Sequence, residues 1–321
     1  MPTDPTYLVG WGAHHPAGRL TNDELIERLE TTPDWLDSHV GIEERRISEA
    51  DDTIGTLGAA ALDHALAGAG LEAGDLDVII GASSFDDHDM PAAAARIADE
   101  VGSGAFTFDV RAACSGWPVG IEIARTFLDT GRADTVAVVA SERTSLSVDP
   151  EDRGTVVFFG DAAGAGIVTR GPVPPGGAAR IVDLAWHADN QEHAVVRIPH
   201  GGWFEMDGRH TRTWVEKAMA ETAAQVLDRN GVASADLRAL VCHQANLRLI
   251  ERFAAQLGVP PERHWHNVEW AGNTSASGAP TSLAGGLDAS AEQLDDGDHI
   301  LVVTVGAGLN VVAMLLRWER P

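Results

Sequence analysis

The chain is poor in cysteine: 321 residues carry only Cys114 and Cys242, and neither sits in a Cys-x-x-Cys pair. Two such thiols cannot build a disulfide framework or a zinc site based on paired cysteines, and a reducing compartment suits them. Basic residues are scarce as well, 23 against 48 acidic ones, for a formal net charge of −25. That sign argues against binding nucleic acid through a general electrostatic field. No apolar run reaches the roughly 18 residues of a membrane-spanning helix. The start, Met1-Pro-Thr-Asp-Pro-Thr-Tyr7, lacks the basic-then-apolar order of an export signal, so a cytoplasmic location without a membrane partner is expected. The Gly-rich run Gly160-Asp-Ala-Ala-Gly-Ala-Gly166 does not follow the dinucleotide fingerprint, and no nicotinamide or flavin is inferred from it.

What is present is a sizeable core and a placed thiol. With 44% hydrophobic residues, a chain of this length can bury one or two cores. Cys114 lies in Asp109-Val-Arg-Ala-Ala-Cys-Ser-Gly-Trp-Pro-Val-Gly120, where a strand-like segment ends in small residues and a helix-like stretch follows up to Gly131. Unpaired N–H groups and the positive dipole at a helix start favour thiolate over thiol, the activation a nucleophilic cysteine needs. A lone cysteine is ordinarily a buried small hydrophobe. Here two more polar residues stand at similar junctions, His243 in His-Gln-Ala-Asn and Asn273 in Gly-Asn-Thr-Ser, and one reaction uses all three. Cys242 ends the apolar run Leu237-Arg-Ala-Leu-Val-Cys; alternation turns it away from the face of His243, and it is read as core.

Two stretches echo each other. Residues 54–84 read as an amphipathic helix, a break at Gly70 and a strand from Asp75. Residues 215–246 repeat that order, with Val215, Met219, Thr222 and Val226 on one helix face, a break at Gly231 and a strand from Asp236. Asp75 and Asp236 stand 161 residues apart, half the chain, which suggests a duplicated α/β unit. The same step carries Cys114 to position 275, two residues past Asn273, so the two loops are expected to face each other about a pseudo-two-fold axis. The first copy continues with a helix at Ala92–Val101 and strands at Phe106–Val110 and Thr135–Ala140. The second continues with a helix at Leu247–Leu257 and strands at His264–Val268 and His299–Val305. Continuous apolar strands covered on both faces predict a layered α/β/α/β/α sandwich. Its halves are expected at 1–172 and 173–321, divided at Arg170-Gly-Pro-Val-Pro-Pro-Gly-Gly177.

Ala113-Cys-Ser-Gly, Asp149-Pro-Glu-Asp-Arg-Gly-Thr155, Phe159-Gly-Asp-Ala-Ala-Gly-Ala165, His243-Gln-Ala-Asn-Leu-Arg248 and Gly272-Asn-Thr-Ser-Ala-Ser277 resemble, in that order, the motifs of the β-ketoacyl-acyl-carrier-protein synthase III family of the thiolase fold. Thr32-Pro-Asp-Trp-Leu36 and Gly41-Ile-Glu-Glu-Arg45 are similar to its N-terminal signatures. The resemblance implies a cytoplasmic homodimer that uses acyl-CoA and acyl carrier protein, with no cofactor beyond coenzyme A or phosphopantetheine thioesters. It implies that Cys114 attacks the thioester of an acyl primer, and that a malonyl thioester then binds and loses carbon dioxide. His243 and Asn273 offer nitrogen donors and no negative charge, which suits the enolate so formed. The backbone N–H groups of Cys114 and Ala307 would hold the attacked carbonyl oxygen. By the same resemblance Trp35 and Arg153 would hold the adenine of coenzyme A, and Arg248 would lie where carrier protein docks. Met90-Pro91 would close the acyl pocket across the dimer interface, where a flexible Met sets no sharp size limit.

Against the family pattern, Ala162 replaces a usual Gly and His39-Val40 replaces a usual Arg. The segment before Met206-Asp-Gly is shorter, and Arg212 stands where an aromatic residue is common. A shorter, more basic mouth would alter the primer, the carrier or the acceptor. The expected reaction is decarboxylative condensation in fatty-acid or polyketide biosynthesis. The alternative is acyl transfer from Cys114 to a hydroxyl, an amine or water, without loss of carbon dioxide. A non-catalytic scaffold role is disfavoured because all three catalytic residue types are present. Anionic carriers must meet local positive charge on so acidic a chain, and Arg45, Arg46, Arg153, Arg209, Arg212, Lys217, Arg248 and Arg252 are the candidates, most of them better read as solvated surface charges. Arg248, with Arg212 or Arg252, is expected to form the docking patch, since screening leaves only nearby charges effective.

Overall fold

The computed structural model describes residues 4–85 and 88–321, the side chains of positions 209 and 210 apart. The first half runs β1 (Thr6–His14), β2 (Gly18–Thr21), α1 (Asn22–Arg28), α2 (Pro33–His39), β3 (Glu44–Ile47), α3 (Ile54–Ala69), β4 (Val78–Gly81), α4 (Ala93–Val101), β5 (Phe106–Asp109), α5 (Gly116–Asp129), β6 (Thr135–Arg143) and β7 (Asp161–Arg170). The second runs β8 (Ala178–Ala188), β9 (Val196–Arg197), β10 (Glu205–Met206), α6 (Gly208–Asn230), β11 (Leu237–Cys242), α7 (Leu247–Leu257), α8 (Val268–Ala271), α9 (Gly278–Ser290), β12 (His299–Gly306) and β13 (Asn310–Glu319). Local chemistry sets several of these ends. Thr53 caps α3 by accepting the Thr56 N–H, and Asn246 caps α7 by accepting the Leu249 N–H. Gly70 and Gly258 close the same two helices in the left-handed conformation that glycine adopts without strain.

The main strands lie in the order β11-β12-β13-β8-β1-β7-β6-β4-β5. The seam between the halves is thin: β1 meets β8 only at Tyr7↔Arg180 and Leu8↔Ala179, whereas it pairs with β7 along almost its whole length. Two sheets therefore stack as layers, and strand alternation divides the core among the helices. Val136, Val138 and Ala140 of β6 pack with Trp117 and Ile121 of α5 and Leu283 and Leu287 of α9, the central layer. Ala137 and Val139 pack outward with α3 and α4. In the second sheet Ile300 and Val302 join the central layer, while Leu301 and Val303 pack with α6 and α7. The result is the expected α/β/α/β/α sandwich, and Cys242 is buried on the outer side, among Leu240, Leu301 and Val303.

One expected strand is missing. At 264–268 the chain makes a single parallel bridge, Leu240 to His264, and then turns into α8. Asn267 draws it inward: its N–H donates to Gln244 Oε1, its Nδ2 to Thr281 Oγ1, and its Oδ1 accepts from Ser282 Oγ. Those anchors to α9 and to the segment after β11 replace a sheet ladder. Among the described residues no helix is long and apolar enough to cross a membrane.

Candidate active site

The duplication reaches the backbone of the site. Ala113 and Ser275 are the two non-glycine residues with positive φ among the described residues, at 49° and 55°. Each opens a 3-10 turn that runs into a central helix, at Gly116 for α5 and Gly278 for α9. Ser115 and Ser277, at φ −91°, ψ 5° and φ −80°, ψ −14°, match as well. These pairs stand 162 residues apart, so the backbone counterpart of Cys114 is Ala276, one position beyond the 275 that the strand offset suggests. The two turns abut: Cys114 Sγ and Ser275 Oγ are 3.4 Å apart and share a hydrogen bond.

Cys114, His243, Asn273 and Ala307 line one cavity of about 380 Å³, walled by Phe158, Phe159, Phe204, Leu249 and Leu309. Each arrives on a braced segment. His243 follows β11, and its N–H donates to Val303 O at 2.7 Å, prolonging the β11–β12 ladder. The next residue, Gln244, donates through Nε2 to Cys242 O at 2.7 Å, which folds this turn on itself. Asn273 is clamped by a single bridge to the turn before β7: its N–H donates to Phe158 O at 2.7 Å, and the Gly160 N–H donates to its carbonyl at 3.0 Å. Its Oδ1 accepts the Ser275 N–H at 3.0 Å, which leaves Nδ2 as the free donor. Ala307 reaches the cavity because Gly306 ends β12 without a side chain; a Cβ there would lie 2.6 Å from the Ala112 carbonyl.

Burial dominates the charges. His243 is lowered to about 4 by desolvation alone, so its imidazole is neutral near pH 7. The Cys114 thiol is pushed up to about 12 by burial and further up by the nearby Glu142 carboxylate, with the Ser275 hydrogen bond opposing. This corrects the expectation of a resting thiolate: a helix start contributes ~0.3–1 kcal/mol, while the rise from 9.0 to about 12 is of order 4 kcal/mol. Glu142 is the site residue that sequence reading missed. It lies near the end of β6, fully buried, accepting N–H bonds from Ser84, Phe85 and Ala276. A carboxylate inside the apolar run Thr135–Arg143 was the available signal, because buried acids seldom occur without a reason.

The other expected residues are placed unequally. Trp35 and Arg153 meet, the guanidinium 4.9 Å from the ring centre, and His39 stacks on Trp35 at 5.1 Å. Neither Trp35 nor Arg153 lines the cavity. Arg212 does, as does Arg111, and both are exposed with no acidic partner among the described residues. Arg248 instead donates to the Asp37 carbonyl and carboxylate and to Glu251. Arg252 pairs with Glu216 at 3.0 Å. Arg45, a candidate anion contact, is corrected to a buried clamp that donates to Val157 O and Asn22 Oδ1, its guanidinium lowered to about 9 by burial. The Arg209 side chain lies outside the described residues. Met90 is 81% exposed and does not line this chain's cavity.

A duplicated five-layer sandwich whose paired turns meet at a cavity-facing cysteine defines a thiolase-like enzyme. Residues 108–190 match the family profile described as 3-oxoacyl-[acyl-carrier-protein (ACP)] synthase III, and residues 227–318 match its C-terminal counterpart. The β-ketoacyl-[acyl-carrier-protein] synthase III of Geobacillus kaustophilus is 34% identical over 98% of this chain and 99% of its own. The crystal structure of 3-oxoacyl-[acyl-carrier-protein] synthase III from Aquifex aeolicus superposes with a TM-score of 0.91 at 33% identity, covering 97% of this chain and 99% of that one. A priming β-ketosynthase from the R1128 polyketide pathway gives 0.90 at 29% identity, covering 99% and 98%. The chain belongs to the β-ketoacyl-[acyl-carrier-protein] synthase III family and is an enzyme of the ketosynthase type.

Proposed function

We propose that this enzyme joins a short acyl thioester to a malonyl group on acyl carrier protein through an acyl-Cys114 intermediate. Cys114 Sγ attacks the acyl carbon, the bond to the departing sulfur breaks, and the oxyanion is held by the N–H groups of Cys114 and Ala307. The malonyl thioester carbonyl then lies against His243 and Asn273 Nδ2. Loss of carbon dioxide moves the bonding pair into an enolate; that carbanion attacks the acyl carbon, and Cys114 leaves as thiolate. The observation that carries this reading is that His243, held neutral by burial, and the Asn273 amide share the thiol's cavity. An anionic carboxylate in either place would repel the enolate, whereas two preorganised donors stabilise it.

The substrate handles follow the same reading. The Trp35–Arg153 pair suits an adenine, which would take the indole face that the guanidinium now covers at 4.9 Å. Arg111 and Arg212 are the cations free to meet an anionic carrier, while Arg248, already balanced by two acids, ties α7 to α2. Acyl-CoA and acyl carrier protein act as partners and no cofactor is required. The chain works as a cytoplasmic homodimer of protomers with halves 1–172 and 173–321, Met90 reaching the neighbouring pocket. The deciding measurement is release of labelled carbon dioxide from malonyl carrier protein, in step with product, after Cys114 has been acylated. Transfer of the acyl group to another acceptor with no carbon dioxide released would replace condensation by acyl transfer.

A further inference from the structure

Glu142 takes no part in that scheme, yet its surroundings connect it to the thiol. Its carboxylate accepts the Ser84 N–H on both oxygens at 3.1 Å, the Phe85 N–H at 3.2 Å and the Ala276 N–H at 3.3 Å. The Ser275 hydroxyl, one residue before the Ala276 N–H that Glu142 accepts, lies near enough to act on that carboxylate, and it stands 3.4 Å from Cys114 Sγ. An isolated buried carboxylate costs several kcal/mol unless paired or hydrogen-bonded. Among the described residues no cation is paired with this one: the β4–α4 connection and the turn before α9 offer it N–H groups and the Ser275 hydroxyl, and the turn before α5 offers Cys114. His243 and Arg111 line the same cavity as Cys114. Its own strand carries Arg143 next to it, and Asp161 of β7 is occupied by the N–H groups of Ser48 and Ser145 and the Ser145 hydroxyl.

We propose that Ser275 and Glu142 form a buried relay that receives the Cys114 proton as the thiol attacks its first acyl thioester. This rests on the reading of Cys114 as the nucleophile, and it makes Glu142 a positioning residue that acts through Ser275. The Cys114 S–H bond breaks while a sulfur electron pair forms the bond to the acyl carbon. Ser275 Oγ takes that proton and gives its own to Glu142. When the tetrahedral adduct collapses, the carbon–sulfur bond to the leaving group breaks, and the departing thiolate takes the proton back through Ser275. Acyl-Cys114, a free thiol and an ionised Glu142 remain. Of the two groups near the thiol, Glu142 is the stronger base, since burial raises it to about 8 and lowers His243 to about 4.

The test uses the full chain and follows intact mass during acylation by acyl-CoA and alkylation by iodoacetamide, from about pH 5.5 to 9.5, a range that brackets the carboxyl. Wild-type rates should rise through the titration of Glu142. Glu142→Gln keeps an acceptor for the backbone N–H groups but cannot take a proton; acylation should fall about 10²-fold, the usual scale of a lost proton acceptor, and the rise with pH should vanish. Ser275→Ala should lose the same limb. A wild-type rate and pH profile in either Glu142→Gln or Ser275→Ala would overturn the relay, as would a slower rate with an unchanged profile. Should Glu142→Gln not fold, Ser275→Ala decides, because it leaves the carboxylate and its backbone bonds in place. If no acyl thioester modifies the wild type, the proposed function fails, while the alkylation profile still judges the relay.

Discussion

A neutral imidazole and a carboxamide differ from acids in what they do to a growing negative charge, and that difference separates the two stages of the proposed reaction. Asn273→Ala should leave acylation of Cys114 intact while slowing decarboxylation and condensation about 10²-fold, the effect of one lost oxyanion donor. Mass measurement of the acyl-enzyme and counting of released carbon dioxide separate the stages; equal loss of both would contradict this division. Cys114→Ala should abolish labelling by acyl thioester and Cys242→Ala should not, since Cys242, the last residue of β11, is buried on that strand's outer side. At this scale Cys114, His243 and Asn273 were legible because each stands at a junction of small residues that chain order alone marks. Glu142 was not, because the groups that make it special, the N–H groups of Ser84, Phe85 and Ala276, come from 58, 57 and 134 positions away along the chain.

Among the elements, α9 provides a paired test of close packing. Gly286 faces the Trp265 ring, with 2.1 Å between an added Cβ and the nearest ring atom, whereas Gly285 has nothing within 4 Å. Gly285→Ala should stabilise by up to ~1 kcal/mol through helix propensity. Gly286→Ala should destabilise by ~1–3 kcal/mol, because the added methyl would overlap the indole, which packs half-buried against the central core. Urea denaturation of the two variants measures both; the same sign for both would show that the α9–Trp265 contact is slack. Helices were read well from sequence, α7 to its last residue, since caps and apolar spacing are local. The strand expected at 264–268 was not, because Asn267 is held by Gln244, Thr281 and Ser282, partners that only the folded chain supplies.

For the molecule as a whole, three buried groups shape stability against pH. His15 and His243 fall from 6.5 to about 4 on folding, so between those values the unfolded chain binds more protons and stability drops as pH falls. Glu142 rises from 4.5 to about 8, so between those values the folded chain binds more protons and stability drops as pH rises. Two histidines outweigh one carboxyl below about pH 6.5; His14 and His299, also lowered by burial, add to the histidine side, and Glu122, also raised by burial, adds to that of Glu142, the carboxyl raised furthest. Each contributes a slope of at most ~1.4 kcal/mol per pH unit. Tm should therefore peak near pH 6.5, and calorimetry of Glu142→Gln should show no decline from there to about pH 8. A decline of wild-type size in that variant would remove Glu142 as its cause.

The sequence by itself determined the layered α/β class, the duplication, the helix limits and the three polar residues at the cavity, because periodicity, capping and motif spacing are written in neighbouring positions. Tertiary structure alone decided how the two turns meet, with Cys114 opposite Ser275 and matched in backbone to Ala276. It also decided the charge states: the same burial that makes His243 a neutral donor holds Cys114 as a thiol and raises Glu142. The balance of cations at the mouth was settled there too, with Arg248 consumed by Asp37 and Glu251 and Arg212 left without an acidic partner among the described residues. Desolvation and ion pairing depend on which distant segments close over a group, and that information is carried by the fold rather than by adjacent residues.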